Sequence, residues 1–450
     1  MEDSSTVLFP VEVEGYVQAI SDFELEDIGD RKWMKQHEYI DKLNMQAILN
    51  VKQGKDEYVK EAFISQDKIS LLVYDLLLTE VWKEKIFEEL LKEGFKPQSE
   101  FPCYITLYHE AAVVNLLETL MYHKESWEAV GDVCLDIVDY CHRKLTQLIA
   151  RQESKTDWYP GIVPEEQNLK YQSLQIEFDI AARTVSIVRY AIDHMKGLSL
   201  SIITRIINTH DMFFLLIVKY NLSDMVCVMA RLIDNSPWIR TTKNGDMEKY
   251  IDSKWQKVAP DEHLKLSKIE GQIWIAIYQL LMNDDFRVMY KMNSFNKNQI
   301  LKLRSHLSEV IIDQIPNLID LRQYLEQLAL VDPPDVKADL ILEQIPEIRH
   351  KLLLKYDGKW EYIIKKHQAT FSPSNDELKA VATQWLNNYN LDILESLTTA
   401  PPKCALCLNL ATKRCSRCHC EWYCSRKCQV KHWQKHKTAC GLMVEASKMS

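Results

Sequence analysis

Eight of the chain's twelve cysteines fall within residues 404–440. Cys404, Cys407, Cys415, Cys418, Cys424, Cys428, His436 and Cys440 stand in the pattern C-x2-C-x7-C-x2-C-x5-C-x3-C-x7-H-x3-C. Zinc takes four thiolate or imidazole donors at about 2.0–2.3 Å in a tetrahedron, and these spacings suit that demand. Each C-x2-C turn offers two thiolates to one ion. Cys424 and Cys428 are four apart, as are His436 and Cys440, so each pair shares a helical face. Four pairs make two closed sites, which leave no coordination position for water or substrate and are therefore structural. Cys420, His419 and His432 fit no pair and read as spare.

The competing reading of such a cluster is a disulfide knot in a secreted domain. Two features oppose it. The first ten residues, MEDSSTVLFP, are acidic and lack the apolar stretch of a signal peptide. The other four cysteines (Cys103, Cys134, Cys141, Cys227) are scattered through apolar, helix-like sequence, as in a reduced cytosolic protein. A module this small has little core, so metal binding should supply much of its folding energy, roughly 10–16 kcal/mol per site in zinc-finger peptides.

The preceding 400 residues read as a different object. Glycine is only 11 of 450 residues, well under the usual share of about 7%. Leucine-rich sequence with so few turn signals argues for helices. Leu71–Lys92 carries an apolar stripe with Gly94 placed as a C-cap. Ala111–Tyr122 and Trp127–Arg151 read as helices, and residues 165–195, 202–220, 222–234, 261–283, 295–313, 316–330, 335–355 and 376–397 repeat the theme. No strand alternation is sustained, and residues 235–258 read as the main irregular stretch. The expected class is mainly α: a large helical body resembling an armadillo- or HEAT-type α-solenoid, with a compact multi-helix domain as the alternative. Breaks are expected at residues 153–165 and at Pro333-Pro334. The expected division is a body over 1–397, a linker over 398–403, the finger over 404–440 and a tail over 441–450. The longest fully apolar run, Met212–Val218, is much too short to span a bilayer.

The body offers little chemistry. His109-Glu110 begins an H-E-x-x-H pattern, but residue 113 is Val, so the second ligand is missing. Phosphate-binding glycine loops and the G-x-S-x-G elbow are absent. Adjacent Cys141 and His142 on a helix point apart and make no nucleophile–base pair. Asn221-Leu222-Ser223 fits a glycosylation acceptor that a cytosolic chain would not use. The expectation is a protein without catalytic residues.

The cysteine pattern resembles the MYND zinc finger. Tyr423 stands before the fifth ligand, Cys428-Gln429 is followed by Trp433, and His436-Lys437 precedes the last cysteine, as in that family. The resemblance implies an interleaved topology, with Cys404, Cys407, Cys424 and Cys428 on one zinc and Cys415, Cys418, His436 and Cys440 on the other. It also implies a groove for short, often proline-containing peptides, lined by Gln429 and Trp433. An exposed indole suits a proline ring, and an amide can pair with extended backbone. Trp433 is equally suited to be core in a domain with few large apolar residues. SET-domain methyltransferases that carry MYND fingers also carry an Asn-His-Ser-Cys motif, which is absent here.

Charge is unevenly placed. Residues 401–450 carry +8 and residues 1–400 carry −17. A basic finger invites a nucleic-acid reading, but seven thiolates on two zinc ions return about −3 to that patch. The acidic body would repel phosphate, and no recognition-helix pattern is present. Acidic protein surfaces are the expected partners, and nucleic acid is not.

The body, in particular Trp238–Val258 and Leu264–Leu281, is similar to that of a family of cytoplasmic assembly factors for axonemal dynein arms that carry a C-terminal MYND finger. That resemblance implies work in the cytoplasm of ciliated cells, including near centriolar satellites. It implies dynein heavy and intermediate chains as clients. As partners it implies a leucine-rich-repeat dynein assembly factor, heat-shock chaperones and a prolyl-isomerase-type co-chaperone. The alternative is a nuclear corepressor adaptor using the same finger, which would be expected to carry a basic localisation segment and a chromatin- or DNA-reading domain.

Overall fold

The computed structural model describes residues 7–153 (except 55 and 98), 169–194, 225–331 (except 243 and 291), 346–372 and 404–447 (except 408, 419 and 420). Nearly all regular structure among them is helical. Through the first half run α1 (Pro10–Ala19), α2 (Arg31–Gln53), α3 (Tyr58–Ser65), α4 (Ile69–Trp82), α5 (Glu88–Lys92), α6 (Phe101–Leu120), α7 (Lys124–Val130), α8 (Cys134–Glu153) and α9 (Leu169–Asp193). There follow α10 (Met225–Asp234), α11 (Lys268–Leu281), α12 (Asp284–Met289), α13 (Ser294–Leu301), α14 (Glu309–Gln314), α15 (Leu318–Leu330), α16 (Ile348–Lys355) and α17 (Trp360–Thr370). The finger contributes β4 (Lys413–Arg414), β5 (Trp422–Tyr423) and α18 (Arg426–Ser447).

Local chemistry sets the ends of these helices. The Asp30 side chain accepts from Trp33 N at 2.8 Å and opens α2. Ser267 and Glu270 form a reciprocal capping box on α11. Gly94 takes a left-handed φ of +72°. Gly94 N reaches Leu91 O at 3.1 Å and Phe95 N reaches Leu90 O at 2.9 Å, the paired closure of a Schellman turn. The stripe over Leu71–Lys92 is thus helical to its expected cap, with one π-helical turn at Lys83–Phe87 inside it.

Several expected helices are divided. Trp127–Arg151 breaks at Gly131, where a 3-10 turn joins α7 to α8. Residues 295–313 form α13, a 3-10 turn over Lys302–His306, and α14. The expected helices at 202–220 and 376–397, the first part of 335–355, both expected breaks, Met212–Val218, Asn221 and the linker lie outside the described residues.

The irregular reading of residues 235–258 is corrected. Three antiparallel strands, β1 (Ile239–Thr241), β2 (Met247–Ile251) and β3 (Lys254–Lys257), form a meander in the order β1-β2-β3. Ile239 pairs with Lys249, and Tyr250 with Trp255. Asp252 and Ser253, at φ +49° and +58°, make the two-residue turn between β2 and β3. Arg240 lies 4.1 Å from the Trp255 ring centre and donates to Glu248 at 2.7 Å. Tyr250 and Trp255 both pack on Phe178 of α9, which seats the sheet on the helices.

One apolar core runs through the described body from Leu8 to Phe371. Helix α9 lies against α6, α8 and α11, and α6 also packs on α2 and α4. A solenoid's units touch only their sequence neighbours. Here α16 packs on α4, and Tyr356 accepts from Leu25 N at 2.9 Å and donates to Glu24 at 2.5 Å. Phe371 meets the Trp82 ring at a tilt, with ring centres 5.6 Å apart, and leaves no room for a Cβ at Gly29, whose φ is +89°. The mainly α class is as expected, and these contacts add closure between residues hundreds apart in sequence; they do not establish an armadillo or HEAT type.

Buried charge holds this body as well as apolar contact. Glu80, Glu110 and Glu177 are buried with Lys83 and Lys144. Lys144 Nζ lies 2.7 Å from Glu110, 3.3 Å from Glu177 and 3.9 Å from Glu80. Lys83 pairs with Glu110 and Glu177. Arg143 joins Glu80 at 2.6 Å, and Tyr140 donates to Glu110 at 2.6 Å. Arg349 of α16 reaches Glu84 at 2.6 Å, and Asp136 of α8 accepts from Ile348 N at 3.0 Å, capping α16. The lysines hold the Glu177 carboxyl well below its ordinary range against the opposing effect of burial.

Candidate metal centres

The finger is built on two knuckle turns, a two-stranded ribbon and one helix. Cys404 N donates to Asn409 O at 2.7 Å, which curls the first turn, and Ala405 N donates to Trp422 O at 2.9 Å, which ties it to β5. Cys415 N donates to Glu421 O at 2.8 Å and closes the second. The ribbon pairs Lys413 with Tyr423 and Arg414 with Trp422. Ser425 caps α18, accepting from Cys428 N at 3.4 Å. Residues 428, 432, 436 and 440 then follow one another at i, i+4 along this helix.

The donor atoms gather in two groups. Those of Cys404, Cys407, Cys424 and Cys428 lie within 4.8 Å of one another, and so do those of Cys415, Cys418, His436 and Cys440. This is the interleaved grouping that the family resemblance implies. Two thiolates on a tetrahedral zinc should lie roughly 3.8 Å apart, and a thiolate and an imidazole nitrogen roughly 3.5 Å apart, given the usual bond lengths. The observed separations are 3.4 Å for Cys407–Cys424, 3.5 Å for Cys424–Cys428 and 3.7 Å for Cys407–Cys428. In the second group Cys415–Cys440 is 3.9 Å and Cys418–His436 Nε2 is 3.4 Å. Every one of these is far from the roughly 2.05 Å of a disulfide. The two sets fit two Zn2+ sites, and both are complete without a water.

Thiol chemistry agrees. Burial raises Cys404, but backbone N–H groups of Cys424, Cys407 and Leu406 outweigh it and bring the thiol down to about 6. Burial likewise opposes, and the N–H groups of Cys418 and Arg417 with the His436 side chain overcome, at Cys415, also near 6. Hydrogen bonds that the Cys424 thiol donates to the Cys407 and Cys428 sulfurs push it up to about 12. Cys404 and Cys415 are thereby favoured as thiolates, the form in which cysteine binds zinc.

His432 stands on the helix between the two groups but belongs to neither. Its Nδ1 lies 3.0 Å from the Tyr423 hydroxyl, and its ring stacks 5.9 Å from His436. It orients a buried tyrosine instead of a metal. His419 and Cys420 lie outside the described residues. Trp433 is half-buried, packs on the finger core and meets His436 edge-on at 6.0 Å. Gln429 is half-buried beside Val430, which is 64% exposed.

The remaining sequence candidates are structural. His109 turns to one side of α6 and Glu110 to the other. His109 Nε2 is 3.1 Å from Asp75, and its Nδ1 is 2.9 Å from His37 Nδ1, with all three residues buried. Glu110 belongs to the ionic cluster. Cys141 is buried, and burial pushes its thiol up, away from reactivity. Sequence reasoning named neither the ionic cluster nor the histidine–aspartate chain, because isolated charges on helices read as solvated faces. Among the described residues no helix is long and apolar enough to cross a membrane.

A family model described as the MYND finger matches residues 404–440. Over 461 aligned residues the chain is 32% identical to the zinc finger MYND domain-containing protein 10 homolog of Drosophila melanogaster, covering 96% of this chain and 98% of that one. It is 58% identical over 38 residues to ubiquitin carboxyl-terminal hydrolase 16 of Arabidopsis thaliana, 8% of this chain and 4% of that protein. A similar stretch of 39 residues, 51% identical, relates it to hydrolase 17 of the same plant and covers 5% of that protein. No solved structure matches the chain.

Proposed function

The chain belongs to the zinc finger MYND domain-containing protein 10 family, and on that premise we propose that it is a non-catalytic adaptor in the assembly of axonemal dynein arms. Likeness along 96% of the chain carries this reading, because the finger alone is shared with proteins of other kinds. Two four-donor sites leave no open coordination position for a reacting group. The buried His37, His109 and Asp75 are hydrogen-bonded to one another and the buried Glu110 is ion-paired with Lys144, which serves folding more than chemistry.

The division of labour is a helical body over 1–397 and a finger over 404–440, joined by a linker at 398–403 and followed by a tail over 441–450. The body presents surface to dynein heavy and intermediate chains. The finger takes a short peptide of a leucine-rich-repeat assembly factor on the face of α18 that carries Gln429 and Trp433. Val430 adds exposed apolar surface beside them. Heat-shock chaperones and a prolyl-isomerase-type co-chaperone complete the assembly, in the cytoplasm and near centriolar satellites. Tethering two binding modules raises the effective concentration of each ligand for the other.

Depletion of the protein in multiciliating cells, followed by rescue, tests this reading. The intact chain should restore dynein heavy-chain abundance and axonemal dynein arms. Normal arms in depleted cells would overturn it.

A further inference from the structure

The two metal groups differ in access to solvent. In the second, Cys415, His436 and Cys440 are buried and Cys418 is half-buried. In the first, only Cys404 is buried; Cys424 and Cys428 are half-buried and Cys407 is exposed. The Cys407 sulfur also has thiols within reach, Cys424 at 3.4 Å, Cys428 at 3.7 Å and Cys404 within 4.8 Å. Oxidation of cysteine follows thiolate character and access, and a resolving thiol nearby turns the first product into a disulfide. The second group offers less access, and its Cys415–Cys440 pair is buried and wider, at 3.9 Å, while Cys418 faces an imidazole nitrogen at 3.4 Å.

We propose that Cys407 is the oxidation-sensitive position of this protein, and that hydroperoxide converts Cys407 and Cys424 to a disulfide with release of one zinc ion while the second stays bound. The Cys407 thiolate attacks the peroxide O–O bond; an S–O bond forms, the O–O bond breaks and hydroxide leaves. The Cys424 thiolate then attacks the Cys407 sulfur; the S–S bond forms, the S–O bond breaks and a second hydroxide leaves. Two cysteines lose two electrons in total and one peroxide gains them. Cys404 and Cys428 alone cannot close a four-donor site. A thiol reductant and added zinc reverse the change.

The consequence is local. Cys424 and Cys428 flank the N-cap of α18, the helix that bears Gln429 and Trp433, so their release frees its first turn. The link to peptide binding rests on the adaptor reading above; the zinc and disulfide readouts do not.

The test uses the full chain carrying two zinc ions, titrated with hydrogen peroxide. Released zinc is followed with a chromogenic chelator, and disulfides are located by peptide mass mapping. One zinc should leave about tenfold faster than the other, in step with a Cys407–Cys424 linkage. Cys407→His, which keeps a ligand but removes the thiol, should abolish the fast phase. If this variant binds only one zinc, the mapping of the unmodified chain decides alone. Loss of both ions together, or first oxidation at Cys415, Cys418 or Cys440, would overturn the proposal.

Discussion

Replacing Lys144 with Met tests the buried ionic cluster directly. Lys144 is 3% exposed, and its Nζ sits among three buried carboxylates at 2.7, 3.3 and 3.9 Å. Each such contact is worth about 4 kcal/mol at roughly 4 Å and an effective dielectric near 20, against a desolvation cost of several kcal/mol per ion. Methionine fills the lysine stem's volume, so cavity formation adds little. Three carboxylates then face Lys83, Arg143 and the more distant Arg349, and the expected loss is about 3–5 kcal/mol near neutral pH. The sign with pH follows from the carboxyls. In the unaltered protein Glu177 and Glu80 are held below their ordinary range, so their stabilisation is full above about pH 4.3 and fades below it. In the variant the cluster carries surplus negative charge, which acid neutralises, so the defect is relieved as the pH falls. The difference between the two proteins should therefore shrink from pH 7.5 towards pH 4.5. Urea unfolding followed by tryptophan fluorescence reads both quantities. Combining Lys144→Met with Glu110→Gln removes the surplus charge, keeps an acceptor for Tyr140, and should recover most of the loss. A loss under about 1 kcal/mol, or a double variant no better than the worse single one, would refute the reasoning.

Other expectations follow from single contacts. Gly29→Ala places a Cβ 3.0 Å from Phe371 Cζ at a φ of +89°, and should cost about 2–3 kcal/mol by the same unfolding measurement. Burial holds His367 at about 4 and His37 well below its usual range. The unfolded chain binds protons first, so stability should fall from about pH 6.5 towards pH 4, by about 3 kcal/mol for His367 at roughly 1.4 kcal/mol per unit. His367→Phe should flatten that slope. Cys415→Ser should release zinc from the finger, as counted by elemental analysis, and leave the helical signal of the body nearly unchanged in circular dichroism. Trp433→Ala should keep two zinc ions and weaken a groove peptide by about 1–2 kcal/mol in calorimetry; unchanged affinity would place the partner elsewhere.

What the sequence reveals depends on how local the physics is. The metal ligands were legible because coordination imposes short spacings that survive any tertiary context. Helix α11 was legible from its apolar stripe, and its cap sits in plain sight at Ser267. Helix α2 was not singled out, because Gln36, His37, Asp41, Asn44, Gln46 and Asn50 are buried on it and break the apolar period. Gln46 uses its place to accept from Val7 N at 2.8 Å and Leu8 N at 2.9 Å, a contact that no periodicity encodes. The three-stranded sheet hid for a related reason: Met247–Ile251 and Lys254–Lys257 are charged, half-buried strands, and Asn244-Gly245 read as irregularity instead of a turn between strands. His432 looked superfluous because its partner, the Tyr423 hydroxyl, is not a metal. The pairing of α16 and α17 with residues 20–93 depends on Arg349, Tyr356 and Phe371 finding partners hundreds of positions away.

The body and the finger are proposed as two binding modules of a dynein-arm assembly adaptor. Mass spectrometry of proteins that co-purify from ciliating cells, with the intact chain and with one truncated after Pro402, tests it most directly. Dynein chains and chaperones should accompany the intact chain, and the leucine-rich-repeat partner should be lost on truncation. Chromatin-modifying or DNA-binding complexes in place of dynein would contradict the account.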